Sequence, residues 1–261
     1  MLRSIEEKEL KKLEKKETKF NSKKQKQKES SLNNLLSTKV PESLQSKLES
    51  AFFQAFKLAF YKGTPVIEKT YNKEKLQQEY DINSYIAERR NTKKSLQSFG
   101  KKSGTKGNEF LSAASGITLG ALGIGLPDIP LFITYVLKSI YQISLSYGYD
   151  YHLQTEKEFL LYVIKAALLK GPEFEKANDD VDFFIENGFF RKTLTPEENI
   201  QSVSCVFSKE LLYTKFLQGV PVIGVVGGSY DYIYIKRLTS YAKVKYYKRF
   251  LHDRNQKRRG N

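Results

Sequence analysis

The chain has 261 residues and a formal net charge of +15, from 44 Lys and Arg against 29 Asp and Glu. This length allows a substantial core in one or two domains, and the single cysteine, Cys205, excludes an intramolecular disulfide framework and any multi-cysteine metal site. The N-terminal residues contain no apolar stretch or small-residue cleavage site typical of a secretory signal. We therefore expect the bulk of the protein to stay in the cytoplasm.

Positive charge is concentrated toward the two ends of the sequence. Residues 1–107 carry 25 positive and 13 negative side chains, residues 108–235 carry 9 and 15, and residues 236–261 carry 10 and 1. Nucleic acids and anionic membranes both attract such charge. Here the basic ends flank glycine-rich apolar segments, which is the arrangement expected beside anionic lipid. We predict an anionic membrane surface as the partner, with nucleic acid as the less favoured alternative.

Three regions follow from the composition. Residues 1–40 have almost no aromatic side chains, so we interpret them as a basic, largely disordered tail that begins with a solvated helix. Residues 41–252 form the predicted helical domain, and residues 253–261 form a basic C-terminal tail. Inside the domain, residues 64–108 are charged and rich in turn formers, and Gly100–Gly107 predicts a flexible loop.

Apolar periodicity predicts an all-α fold of roughly six to eight helices. Large apolar residues recur every four positions from Leu44 to Phe60, which indicates a helix that ends at Gly63 and turns this face to the core rather than to a membrane. Capping-box patterns predict helix starts at Thr155–Glu158 and at Thr195–Glu198. Gly148 predicts the left-handed end of the helix before it.

Two glycine-rich apolar segments predict helical hairpins within this fold. The first is Phe110–Pro127, which has no charged residue, and the second is Phe216–Tyr230. Small residues spaced four apart let another helix approach closely. The glycines in question are Gly116, Gly120, Gly224 and Gly228.

Prolines and acids mark the points where these segments meet helices. Pro127 and Pro130 block helix continuation, which makes this the reversal point of the first hairpin. Asp128 and Asp231 each stand at the start of a helix, where capping of free backbone N–H groups is the favoured role. An ion or proton role inside the membrane is the alternative for both acids.

No pattern of catalytic, cofactor-binding or metal-binding residues stands out. His152 and His252 lie outside any known ligand spacing, and Cys205 sits among apolar residues, which indicates a buried thiol. Phosphate-binding loops, nucleophile elbows and dinucleotide fingerprints are missing from the sequence. We therefore expect a protein that is not an enzyme and that uses no cofactor or metal.

Several short motifs in the middle of the chain form a recognisable set. They are Leu126-Pro127-Asp128-Ile129-Pro130, Lys138 and Tyr141, Tyr147-Gly148-Tyr149-Asp150, and Glu156-Lys157. With these motifs the chain resembles the EcsC protein family, bacterial proteins often associated with ABC-transporter gene clusters, and the resemblance extends more loosely from about residue 45 to Leu251. It implies a helical, membrane-related accessory protein with no established reaction.

The charge pattern and the resemblance together predict a non-enzymatic accessory protein, peripheral to or partly inserted in the cytoplasmic face of the membrane. It would act with an ABC-type transporter or another membrane complex. The alternatives are a soluble nucleic-acid-binding protein and a lipid-directed enzyme with an unrecognised site. A topology with two membrane spans, near residues 110–127 and 216–235, also remains, but the second segment is short for a span.

Overall fold

The computed structural model describes residues 4–25, 42–105, 129–217 and 229–260. These ranges form nine helices and no β-strand, so the fold is all-α, as predicted, with slightly more helices than the six to eight expected. Helix α2 consists of Glu42–Leu58, a π-helical turn Ala59–Gly63, and Thr64–Glu68. The other helices are α1 Ile5–Gln25, α3 Lys73–Arg90, α4 Lys93–Thr105, α5 Ile129–Ser146, α6 Gln154–Leu168, α7 Gly171–Asn187, α8 Pro196–Leu217 and α9 Ser229–Gly260.

Helix α5 lies at the centre of the described fold. Helices α2, α3 and α9 pack against it, while α6 packs against α7, α8 and α9, and α8 also lies along α2. The predicted face of α2 is in the core, where Phe52 and Phe56 stack on Phe207 of α8 at centroid distances of 5.4 and 5.5 Å. Aromatic pairs at such distances add to the free energy gained by burying apolar area.

Within the part of the chain that the structure describes, α5 is also the one helix long and apolar enough to cross a membrane. Of this 18-residue stretch, 67% is buried inside the protein. The central helix of a packed core has the same length and composition, so the apolar character of α5 is accounted for by its neighbours.

The observed helix ends confirm two of the predictions and correct a third. Gly148 adopts φ +84°, the left-handed conformation expected after α5. At the start of α8, Thr195 Oγ1 accepts from the Glu198 backbone N–H over 3.2 Å, and Glu198 Oε2 accepts from the Thr195 N–H over 2.7 Å. The capping box predicted at Thr155 is wrong. Helix α6 begins at Gln154 after Leu153, which provides no side-chain cap, so Thr155 already lies inside the first turn and cannot be the capping residue.

The structure also differs from the predicted tails and loops. The helix expected at the start of the N-terminal tail is Ile5–Gln25, but it is packed against the fold rather than solvated, and α9 continues through residues 253–260 without a break. Residues 64–105 are mostly helical: α2 runs past Gly63 to Glu68, and α3 and α4 follow. Packing of these helices against α5 and α9 outweighs a local composition that favours turns.

Most of both predicted hairpins lies outside the described residues. This applies to Gly116, Gly120, Pro127, Asp128, Gly224 and Gly228. Of the remaining candidates, Pro130 is the second residue of α5. A proline fits there because a backbone N–H at this position would have no partner inside the helix, so its loss costs nothing. Asp231 is the third residue of α9.

Candidate functional site

Glu156 is the centre of a buried polar network that joins three helices. The side chain comes from α6 and the residue is only 2% exposed. Its Oε1 accepts hydrogen bonds from Tyr246 Oη over 2.6 Å and from Ser144 Oγ over 3.2 Å, while Arg249 Nη1 donates to Oε2 over 2.6 Å. Ser144 belongs to α5, and Tyr246 and Arg249 belong to α9. The carboxylate is therefore fully engaged in holding α5, α6 and α9 together.

Aromatic rings enclose the cation that faces this carboxylate. The Arg249 guanidinium lies 4.0 Å from the centroid of the Tyr149 ring and 4.7 Å from that of Phe159. Tyr149 Oη in turn donates to Asp253 Oδ2 over 2.8 Å. Stacked rings and a paired carboxylate neutralise and desolvate the guanidinium, so this network stabilises the fold and leaves no group free for chemistry.

A second network surrounds Glu68, near the protein surface. Its Oε1 accepts from Tyr151 Oη over 2.5 Å and from Lys73 Nζ over 3.0 Å, and His152 Nε2 lies 2.8 Å away. Tyr71 and Tyr151 share a hydrogen bond of 2.7 Å between their hydroxyls. The network joins the end of α2 and the start of α3 to the segment between α5 and α6.

The pKa values in this network lie far from neutrality. Burial alone would raise the pKa of Glu68, but hydrogen bonds from Tyr151, Lys73 and His152 lower it to about 2. Burial and the neighbouring Glu68 carboxylate raise the pKa of Tyr151 far above its usual value. A general acid or base works best with a pKa near the working pH, and neither group has one.

Lys138 and Tyr141 of α5 contact the end of α2. Lys138 Nζ donates to the Thr70 carbonyl over 3.0 Å, and burial lowers the pKa of this lysine. The hydroxyl oxygens of Tyr141 and Thr64 are 3.3 Å apart and share a hydrogen bond. The Tyr141 ring stacks on the Tyr151 ring at a centroid distance of 4.0 Å. Both residues thus fix the segment that follows the π-helical turn of α2. Such turns interrupt the regular helical bonding and are stable where side chains support them.

Helix α3 carries an exposed apolar stripe. Ile82 and Tyr85 are each 59% exposed and Ile86 is 37% exposed, at positions i, i+3 and i+4 on one side of the helix. Arg89 continues the stripe one turn further, with its guanidinium 5.9 Å from the centroid of the Tyr85 ring. The opposite side of α3 is buried through Leu76 and Ala87.

Exposed cations follow this stripe along the chain. From Ile82 to Thr105 the sequence has six positive side chains and one negative, Glu88, and all seven are exposed; the exposed Asp81 lies just before the stripe. We call the exposed stripe and these cations the α3–α4 surface. The six cations are Arg89, Arg90, Lys93, Lys94, Lys101 and Lys102.

A cleft of about 400 Å³ opens beside the α3–α4 surface. It lies between α3, α4 and the last residue of α5, and its lining includes Tyr80, Asn83, Lys102 and Ser103. Lys102 Nζ donates to Asn83 Oδ1 across the cleft over 3.2 Å. The lining thus mixes an aromatic ring with hydroxyl, amide and ammonium groups.

A family model, that of the EcsC protein family, matches residues 4–251. The chain belongs to the EcsC protein family. This confirms the resemblance and extends it to α1, ahead of the start near residue 45 expected from the sequence. No curated protein and no solved structure matches the chain.

The structure shows what the residues that suggested the EcsC family do. Lys138 and Tyr141 hold the end of α2, and Tyr149 and Glu156 take part in the buried network around Arg249. Gly148 lies against the Tyr80 ring, which leaves no room for a side chain. The described residues of this motif set thus make contacts between helices.

The remaining candidates lie apart from one another. Cys205 is half-buried in α8, where burial raises the pKa of its thiol. His152 belongs to the Glu68 network, whereas His252 lies near the end of α9. Among the described residues, no group of three His, Cys, Asp or Glu is placed to hold a metal ion.

Sequence reasoning missed the α3–α4 surface and the Glu156 network. The composition of residues 64–108, charged and rich in turn formers, hides the apolar stripe, although Ile82, Tyr85 and Ile86 have helical spacing. The role of Glu156 has a weaker signal, because its partners Tyr246 and Arg249 lie about ninety positions further along the chain.

Proposed function

We propose that this EcsC family member is a non-enzymatic accessory protein that binds the anionic cytoplasmic face of the membrane. It binds as a peripheral protein, through the α3–α4 surface. The observation that carries the proposal is the coincidence of three exposed apolar side chains with six exposed cations on two adjacent helices. Apolar side chains that enter the lipid interface beside cations that meet its headgroups are typical of interfacial helices.

The expected energies favour this partner. Each Lys or Arg near an anionic leaflet contributes about 1 kcal/mol, and burial of an Ile or Tyr side chain contributes about 1.5–3 kcal/mol when complete. Partial insertion of Ile82, Tyr85 and Ile86 therefore adds to the attraction of the cations. Because salt screens the charged part, binding is expected to weaken as ionic strength rises.

A non-enzymatic role is supported by the chemistry of the two polar networks. Glu156 and Arg249 are enclosed by protein groups, and the pKa values of Glu68 and Tyr151 are unsuited to proton transfer at neutral pH. The proposed partnership with an ABC-type transporter or another membrane complex rests on the association of the EcsC family with transporter gene clusters.

Vesicle flotation tests the proposal. The protein should float with vesicles of phosphatidylcholine and phosphatidylglycerol, and much less with phosphatidylcholine alone. The double variants Ile82→Ser/Ile86→Ser and Lys93→Glu/Lys94→Glu should each reduce binding to the anionic vesicles by about tenfold. Phe189→Ser is the matched control, because Phe189 is 60% exposed on the segment after α7.

Two outcomes would contradict the proposal. Flotation that is unchanged in both double variants would show that the α3–α4 surface is not the binding site. Retardation of single-stranded nucleic acid that depends on Lys93 and Lys94, without any flotation, would assign the same cations to nucleic acid instead.

A further inference from the structure

Helix α1 lies along the C-terminal part of α9 and pairs its carboxylates with the cations there. Glu6 has no exposed surface and contacts Arg254 Nε at 2.9 Å and Arg258 Nη1 at 3.0 Å. The neighbouring Glu7 pairs with Arg259. Glutamates on one side of α1, a helix that is basic overall, thus cover a strongly basic stretch of α9.

A second group of ion pairs lies about three turns further along α1 and about two to three turns earlier along α9. Glu17 of α1 pairs with Lys245, which is fully buried, and with Lys248 at 3.3 Å. Asp182 of α7 meets the same two lysines at 2.7 and 2.9 Å. If Glu17 leaves, Asp182 still neutralises Lys245, so removal of α1 does not leave a buried cation alone.

Apolar contacts contribute little to this attachment. Among the described side chains of α1, Leu13 is the one buried hydrophobic residue, and Ile5 and Leu10 are partly buried. The Glu6 and Glu17 carboxylates are buried, so salt screens these ion pairs only weakly. Helix α1 can leave α9 only where other anions take the place of its carboxylates.

We infer that α1 is a displaceable cover held by its glutamates, and that the face of α9 beneath it is a second membrane-binding surface. In this inference, phosphates of anionic lipids replace Glu6, Glu7 and Glu17 as partners of Lys248, Arg254, Arg258 and Arg259. The inference rests on the proposed membrane function and adds its regulation. We call these four cations the covered face; α1 covers Lys248 and Arg254 most fully, whereas the side chains of Arg258 and Arg259 are 43% and 70% exposed.

Two features of the covered face support a lipid phosphate as the second occupant. Arg258 Nη1 contacts both oxygens of Glu6, at 3.0 and 3.1 Å, and arginine binds phosphate as readily as carboxylate through its planar donors. The same Arg258 nitrogen donates to Asn91 Oδ1 over 2.6 Å, in the turn between α3 and α4. The covered face thus adjoins the turn that joins the two helices of the α3–α4 surface.

A reversible crosslink tests the inference in the full-length chain. Ser4 Oγ lies 2.9 Å from Asn255 Oδ1, so the pair Ser4→Cys/Asn255→Cys in a Cys205→Ser background can join α1 to α9 by a disulfide. The oxidised protein should bind anionic vesicles several-fold more weakly than the same protein after reduction. Cys205→Ser alone is the control, and its binding should not respond to the reductant.

A second pair of variants tests the cover without a crosslink. Glu6→Gln/Glu17→Gln weakens the attachment of α1 and should increase flotation several-fold. Glu173→Gln/Glu175→Gln makes the same change of net charge at exposed positions of α7 and should increase it much less. The comparison therefore separates release of α1 from a simple gain of positive charge.

The outcomes also separate this inference from the proposed function. Equal flotation of oxidised and reduced protein, with a loss in the α3–α4 variants, would overturn the cover and leave the membrane function standing. No flotation of either form would overturn both. Reduction that increases binding to nucleic acid but not to vesicles would show that the covered face takes a different partner, and would also overturn the inference.

Discussion

The Tyr246 hydroxyl donates a 2.6 Å hydrogen bond to the Glu156 carboxylate, and both residues are buried where α6 meets α9. The same carboxylate neutralises Arg249. One acidic side chain therefore satisfies a phenol and a guanidinium, and the stability of the helix contacts depends on its charge.

Loss of that charge is expected to destabilise the protein. Glu156→Gln leaves the buried Arg249 without a counterion and should lower the free energy of unfolding by about 3 kcal/mol. Tyr246→Phe removes one hydrogen bond and should cost about 1–2 kcal/mol. Urea denaturation measures both. Glu175→Gln, at an exposed position, should change the value by less than about 0.5 kcal/mol, and a similar loss in all three variants would contradict the assignment.

Two left-handed glycines provide a matched comparison. Gly148 and Gly188 have φ of +84° and +80°, but a Cβ at Gly148 would overlap the Tyr80 ring, whereas a Cβ at Gly188 would meet nothing within 4 Å. Gly188→Ala should therefore cost only the backbone strain, about 1 kcal/mol. Gly148→Ala should cost about 1–3 kcal/mol more, because the ring must move.

The contact with Tyr80 can be tested directly by a double-mutant cycle. Tyr80→Ala removes the ring, so it should recover part of the loss caused by Gly148→Ala and none of the loss caused by Gly188→Ala. Thermal or urea unfolding of the three single variants and the two double variants gives the coupling energy between Tyr80 and each glycine. Strict additivity at Gly148 would show that backbone strain alone sets the cost there.

The Glu68 network predicts a pH dependence of stability. Burial opposes ionisation of this carboxyl, but hydrogen bonds from Tyr151, Lys73 and His152 hold its pKa at about 2, below the unfolded value of 4.5. The contribution of ionised Glu68 to the free energy of unfolding is therefore complete above pH 4.5 and is lost as the pH falls toward 2. Because the side chain is partly open to solvent, we expect about 1 kcal/mol.

Glu68→Gln should remove this dependence. The variant should be less stable than the parent protein at neutral pH and equally stable near pH 2, when unfolding by urea is followed across that range. Glu74→Gln, at an exposed position of α3, should follow the parent curve. Parallel curves for the parent and Glu68→Gln would contradict the lowered pKa.

Local signals in the sequence were sufficient for much of the fold. The four-residue spacing in α2, the stop at Gly148 and the capping box at Thr195 depend on neighbours a few positions away, and each has its predicted geometry. The sequence at Thr155 has the same T-x-x-E spacing as that at Thr195 but a different outcome. Helix α6 begins one residue before Thr155, and local sequence does not reveal this shift.

The docking of α1 shows the same limit. Its composition is that of a solvated segment, and the charges that hold it lie about 230 to 250 positions further along the chain. Charge complementarity between two segments becomes informative only when the fold brings them together. The α3–α4 surface depends likewise on α3 being helical, which its mixture of charged and apolar residues does not indicate strongly.

The hydrogen bond between Ser4 and Asn255 places the beginning and the end of the described chain side by side. A fusion partner or affinity tag at either terminus would therefore stand next to the same few residues, close to the turn at Asn91. Purification tags at the two termini would therefore lie on the same side of the molecule. A label inserted in the exposed segment between α7 and α8 would lie away from both termini. A circular permutant with new termini in that segment, and with the original termini joined by a short linker, would preserve every described helix.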